Sequence, residues 1–211
     1  MTSISATEAA ITHDAFLGGR VKAWQQARVP KLSIIGVERQ PTYAALARRN
    51  GLEVVEADLA ALPADLRQRQ FHHVFFNPPY FKPGARMSSP GESREAARGE
   101  ETPLAAWAAA AAKRLRPKGM LTVIPRAERL PDLLAALPAT MGSVEVLPLQ
   151  PRQGRAAQLV LLRARKDGRA PFRLCAPRVL HEGADHGQDA PDYTPEVTAI
   201  LLNAAPLRFG G

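Results

Sequence analysis

Two consecutive prolines, Pro78 and Pro79, cut short an apolar run that opens Val74-Phe75-Phe76. Proline donates no backbone N–H and holds φ near one value, so a central strand cannot continue through such a pair. Before it, apolar residues stand side by side, the pattern of a strand buried on both faces. The stretch Val74-Phe75-Phe76-Asn77-Pro78-Pro79-Tyr80-Phe81 therefore reads as a rigid strand that ends in a stiff corner. That corner presents the Asn77 amide, the Pro78 carbonyl and the Tyr80 ring.

Such a corner suits a flat ligand that carries an amino group. An exocyclic amine on an aromatic ring, such as N6 of adenine, is a weak nucleophile because its lone pair is delocalised. Two acceptors aimed at its hydrogens, Asn77 Oδ1 and the Pro78 carbonyl, would localise that lone pair and stabilise positive charge as it develops. Tyr80 would stack on the ring, and the corner would fix the nitrogen in line with an electrophile. Taken alone, a Pro-Pro strand terminator with a structural asparagine fits these residues too.

Upstream, the spacing is that of parallel strand–helix–strand units. Residues 32–37 read as a strand ending at Glu38. A helix follows with Pro41 at its first position, Tyr43, Leu46 and Ala47 on one face, and Asn50-Gly51 as its stop. A second strand, 52–56, ends at Ala57-Asp58. The pattern predicts an α/β, doubly wound sheet, in which ligands bind beyond the carboxyl ends of the strands. Glu38, Asp58 and Asn77 all fall there, one per strand. An acid at the end of the first of these strands suits the two hydroxyls of a ribose. Asp58 suits an adenine amino group of a nucleoside cofactor, although an ordinary acid at a loop start explains either residue alone. Residues 1–13 are small and polar and are expected to be disordered. The paired Gly18-Gly19 reads as a turn or hairpin lead-in rather than a phosphate loop, because no strand precedes it and no helix follows.

Downstream, residues 82–101 are poor in apolar residues and hold Lys82, Arg86, Arg94 and Arg98. A loop that long is usually functional or disordered, and as a lid it would place Phe81, Lys82 and Arg86 at the pocket rim. Thr102 and Pro103 start a helix whose apolar stripe includes Leu104, Trp107, Ala108, Ala111 and Leu115, with Trp107 in the core. A strand at 120–124 and a helical pattern at 126–137 follow. Strands at 144–147 and 157–162 are expected to close the sheet as an antiparallel hairpin. From Pro151 to Arg178 the chain carries eight Arg and Lys against the single acid Asp167, and Arg152 and Arg155 would contact phosphates there. A charged, solvated strand edge is the other reading of this segment. Thr194 and Pro195 begin a last helix.

The 211-residue chain bounds these readings to one domain, with a lead-in at 1–30, a catalytic-type domain at 31–205 and a tail at 206–211. Its net charge of +8 and pI near 10.2 suggest a polyanionic partner. One cysteine, Cys175, excludes an intrachain disulfide and a cysteine zinc site and fits a reducing cytoplasm. His181 and His186 lack a fixed carboxylate between them, so no metal site is expected. Neither a signal peptide nor an 18-residue apolar run is visible, so no membrane contact is expected.

Asn77-Pro78-Pro79-Tyr80 resembles motif IV of class I S-adenosylmethionine-dependent amino-methyltransferases, a motif shared by enzymes acting on DNA, RNA and a protein glutamine. The order of features resembles one family more closely, the bacterial tRNA (adenine-N6)-methyltransferases that modify the purine beside the anticodon of a valine tRNA. The residues carrying it are Gly36-Val37-Glu38, Asn77 to Phe81, the Leu104…Trp107 helix leading to Gly119, Pro151-Arg152-Gln153-Gly154-Arg155 and Tyr193-Thr194-Pro195-Glu196. The resemblance implies a Rossmann-like class I methyltransferase sheet, S-adenosylmethionine as donor and tRNA as partner. It implies Glu38 on the donor's ribose, Asp58 near its adenine, and Asn77, Pro78, Pro79 and Tyr80 holding the target adenine. One departure stands out. The family has a strand and a glycine-rich turn ahead of the strand at Leu32, and here its opening residues run on almost directly, joining between about Trp24 and Val29. The expectation is a sheet without its first central strand, whether those residues are deleted or not written in the sequence. That leaves three readings open: an RNA methyltransferase, a methyltransferase with another target, and an RNA-binding shell that has lost its donor site.

Overall fold

The computed structural model describes residues 32–78, 103–183 and 192–209, together with the backbone of Glu8–Thr12. The expectations placed on the join near Trp24, the lid at 82–101, the Thr102 cap and His186 lie outside the described residues.

Among the described residues nine strands form one mixed sheet. In chain order they are β1 (Glu8–Thr12), β2 (Ser33–Glu38), β3 (Glu53–Glu56), β4 (Phe71–Phe76), β5 (Leu115–Val123), β6 (Met141–Gln150), β7 (Leu159–Lys166), β8 (Arg173–Leu174) and β9 (Arg178–Val179). Their order in space is β3-β2-β1-β4-β5-β7-β6-β8, with β9 also paired to β6. The first five run parallel, and β7 returns antiparallel against both β5 and β6. The expected antiparallel closure is thus present, with Val160, Leu161 and Leu162 of β7 and Val146 and Leu147 of β6 buried.

The missing central strand is a correction. Glu8–Thr12 fills the position between β2 and β4, pairing Ala10 with Ile35 on one side and Val74 on the other. Glu8–Thr12, within the stretch 1–13 expected to be disordered, is therefore a strand, and among the described residues the sheet begins at residue 8 rather than 31. Its composition hides it: Ala9 and Ala10 have weak strand propensity, and only pairing on both edges supplies the missing preference. β1 also ends ahead of Gly18-Gly19, so a strand does precede that pair, which itself lies outside the described residues.

Helix α1 (Pro41–Arg49) links β2 to β3, α2 (Ala64–Gln68) precedes β4, α3 (Leu104–Arg114) and α4 (Leu130–Ala136) flank β5, and α5 (Pro195–Asn203) lies near the end. Pro41 does open α1, but the buried face is Ala44 and Ala47, while Tyr43 and Leu46 stay largely exposed. The small residues let α1 approach Ile34 and Leu52 closely. On the other side of the sheet, Val37, Val74, Phe76, Leu121, Val123 and Leu162 pack with Leu104, Ala111 and Leu133 into the main core. Trp107 packs against that core, its ring 5.4 Å from Phe76, in the place expected of it.

β5 enters the sheet through a bulge, Leu115 pairing with Phe71 and Met120 with His73. Gly119 sits in that bulge because a Cβ there would meet the Arg116 carbonyl at 2.9 Å and the His72 carbonyl at 3.2 Å. Within the tail at 206–211, Leu207 and Phe209 pack on Leu147, Leu161 and Cys175. No helix among the described residues is long and apolar enough to cross a membrane.

Candidate active site

Because β2, β3 and β4 run parallel, their carboxyl ends share one edge, and the register puts Glu38 beside Glu56 and Val37 and Phe76 on either side of Thr12. Glu38, Asp58 and Asn77 therefore meet on that edge as expected, Glu38 and Asn77 being two strand spacings, roughly 10 Å, apart along the sheet.

Each is held differently. Glu38 is 9% exposed, and its Oε1 accepts a 2.8 Å hydrogen bond from the Gln40 backbone N–H. Its own carbonyl accepts from Ala57 N–H at 3.1 Å, which ties the ends of β2 and β3 together. The carboxylate is thereby kept at the edge rather than swinging into solvent. Gln40 was not singled out in the sequence, since a backbone amide carries no signal there. Asp58 is more open, with Arg39 at 4.0 Å, and its carbonyl starts the short 3-10 turn at Leu59–Ala61.

Asn77 is the distinctive residue. Its Oδ1 is buried and has no hydrogen-bond partner among the described residues. Leaving a buried acceptor unsatisfied costs about 1–3 kcal/mol, and such groups in folded proteins call for an explanation. The backbone just before it is pinned, Ile124 N–H donating to the Phe76 carbonyl at 3.3 Å. Pro78 is buried. Pro79, Tyr80, Phe81, Lys82 and Arg86 lie outside the described residues. Val37, Leu59 and Phe76, each one residue from Glu38, Asp58 and Asn77, are among the residues lining a small apolar cavity of about 30 Å³ whose walls include Trp107 and Arg114.

The basic loop between β6 and β7 reaches the same edge, because Val160 N–H donates to the Pro125 carbonyl and Ala127 N–H to that of Gln158, just past the end of β5. Much of the positive charge of residues 151–178 is engaged within the protein. Arg152 is only 12% exposed, its guanidinium pairing with Asp192 and donating to the Glu182 carbonyl. Arg163 and Arg173 share Glu145, Arg178 binds Glu196, and Lys166 donates to the Ala112 and Leu115 carbonyls at the end of α3. Arg155 is exposed on the loop, its carbonyl accepting from Gln150 Nε2. Of the expected phosphate contacts, Arg155 therefore faces outward, while Arg152 holds the protein to itself.

No family model matches the sequence. Two tRNA1(Val) (adenine(37)-N6)-methyltransferases from strains of Porphyromonas gingivalis are 32% and 31% identical over 117 residues, half of this chain. The matched segment spans 45% of their length, so the chain covers less than half of those curated relatives. A predicted O-methyltransferase from Agrobacterium tumefaciens superposes with a TM-score of 0.72 at 26% identity, covering 96% of this chain and 91% of that one. A type I restriction-modification methyltransferase subunit from Streptococcus thermophilus shares the fold at a TM-score of 0.57 and 18% identity, over 95% of this chain and 48% of its own. The mixed sheet, with its polar residues gathered at the carboxyl edge, is that of class I methyltransferases, and the chain is a methyltransferase-like protein. Within that class it is a distant homologue of the tRNA1(Val) (adenine-N6)-methyltransferases.

Proposed function

We propose that this protein transfers a methyl group from S-adenosylmethionine to N6 of an adenine in RNA, with tRNA as its substrate. The observation that carries the reading is the Oδ1 of Asn77 at the end of β4, buried and without a hydrogen-bond partner among the described residues. An acceptor in that state suits an incoming N–H donor. With the Pro78 carbonyl it offers two acceptors, which match an amine with two hydrogens better than a hydroxyl with one. The homology to tRNA adenine methyltransferases and the net charge of +8 support RNA over a protein amide.

The residues present fit the donor. Glu38, fixed by Gln40 at the carboxyl edge, would accept from its ribose hydroxyls, and Asp58 from its adenine amino group. When bound, S-adenosylmethionine supplies an electron-poor methyl group. Asn77 Oδ1 and the Pro78 carbonyl would draw the N6 lone pair out of the ring and orient it, with Tyr80 stacking on the base. The target nitrogen sheds its proton to water after methylation, so no side chain here has to act as a base. Phe81, Lys82, Arg86 and Arg155 would hold the flanking RNA, and Arg152 would position the loop that carries Arg155. A target base in a duplex or a closed loop would have to be turned out to reach the corner.

Titration calorimetry with S-adenosylmethionine tests the donor half directly. Heat that saturates, and that falls markedly in Glu38→Ala, is expected. No heat at millimolar donor would contradict the enzyme reading and leave an RNA-binding methyltransferase-like shell.

A further inference from the structure

At the far end of the same sheet edge stands a cluster that the methyl-transfer site does not use. His181 and Tyr193 stack with ring centroids 4.6 Å apart and planes 24° from parallel. His181 Nδ1 is hydrogen-bonded to Asp192 Oδ1 at 2.6 Å, and Asp192 Oδ2 is held by the guanidinium of Arg152. The backbone is locked as well: Glu182 N–H donates to the Asp192 carbonyl and Thr194 N–H to that of Leu180, so His181 and Tyr193 face each other across a bridge. Thr194 then caps α5, accepting from Val197 N–H. An aspartate and an arginine thus fix the His181 ring, and the Tyr193 ring lies on it with 38% of Tyr193 still exposed.

The location gives the cluster its meaning. β9 pairs with β6, and His181 N–H donates to the Pro151 carbonyl just past the end of β6. The rings therefore lie at the carboxyl edge, four strand spacings or roughly 19 Å from Asn77. A few nucleotides of single-stranded RNA span that distance, and the exposed Arg155 lies on the adjoining β6–β7 loop. Aromatic rings that proteins hold rigidly at a groove serve single strands as stacking platforms, because every base has a π-face.

We infer that the Tyr193–His181 pair is a stacking platform for a second, unmethylated base of the RNA whose target adenine is held by Asn77. This inference rests on the RNA reading proposed above. Tyr193 touches the base, while His181, Asp192 and Arg152 position it. Stacking adds affinity without neutralising phosphates, so its loss lowers affinity at every salt concentration by the same factor.

The test is fluorescence anisotropy with a short labelled oligoadenylate over a range of salt, beside the same sugar-phosphate strand lacking bases. Tyr193→Leu keeps an apolar side chain over His181 and removes the π-face. It should bind oligoadenylate about tenfold more weakly with an unchanged salt slope, whereas Tyr193→Phe should bind as the native protein does. Equal melting temperatures for the two variants would confirm that the bridge is intact. Native affinity in Tyr193→Leu overturns the platform and leaves the RNA reading standing, whereas native protein that binds the baseless strand equally well overturns the platform together with the adenine contact at Asn77. A changed salt slope overturns it in favour of a displaced charge. Native protein that binds neither strand removes the RNA reading and the platform together.

Discussion

His73 shows how this sheet treats an ionisable residue on a central strand. Its Nε2 lies 2.8 Å from Thr122 Oγ1, and burial, aided by the Arg163 charge, pulls its pKa down from 6.5 to about 4. The folded protein therefore keeps His73 neutral where the unfolded chain would protonate it. As pH falls from 6.5 to about 4 the unfolded state takes up a proton that the folded state refuses, and stability declines through that window before levelling off. A loss on the order of 3 kcal/mol is expected. Urea unfolding across this range should show the slope in the native protein and a much flatter line in His73→Leu; parallel slopes would contradict it. Glu145 acts in the same direction, for a different reason. Burial would raise its pKa, but hydrogen bonds and charge from Arg163 and Arg173 outweigh burial and lower it. Its contribution is present above the ordinary glutamate range and is lost as pH falls through the lowered value.

At the scale of elements, the C-terminal segment is fastened by ion pairs rather than by long strands. β8 and β9 have two residues each, and Arg152, Arg173 and Arg178 tie their surroundings to Asp192, Glu145 and Glu196. Arg152→Ala would take the guanidinium from Asp192 in a partly buried setting and leave it on His181 Nδ1, at a cost of about 1 kcal/mol after allowance for exposure. Arg155→Ala should leave stability nearly unchanged but lower the salt slope of RNA binding by about 1. Melting and binding measured on both variants separate the roles, and a stable Arg152→Ala protein would contradict the fastening. What the sequence made legible follows from this division. β2, β4 and β7 announce themselves through apolar runs, and Glu38, Asp58 and Asn77 through their place at strand ends. β1 was hidden because Ala9 and Ala10 gain their strand conformation only from neighbours on both sides. The clasp was hidden because its partners, Arg152 and Asp192, stand forty residues apart, and nothing local marks an arginine as inward-facing. The charge excess of 151–178 was visible in the sequence; its being largely consumed within the protein was not.

For the molecule as a whole, the sheet edge is the organising feature. Donor-type acids sit over β2 and β3, the amide corner over β4, the exposed Arg155 beyond β5, and the stacked rings over β9. Under the proposed function this order lays the donor, the reacting base and the flanking RNA along one line, which accounts for a basic chain whose inner arginines are already paired. The central claim is that the Asn77 amide oxygen holds the reacting nitrogen. Its most direct test is single-turnover transfer of a radiolabelled methyl group from S-adenosylmethionine to tRNA, followed by nucleoside digestion, in native protein and in Asn77→Ala. The account predicts labelled N6-methyladenosine from the native protein and a rate at least ~100-fold lower in the variant, with donor binding little changed. Label on N6-methyladenosine at an undiminished rate in Asn77→Ala, or label found only on another atom, would contradict it.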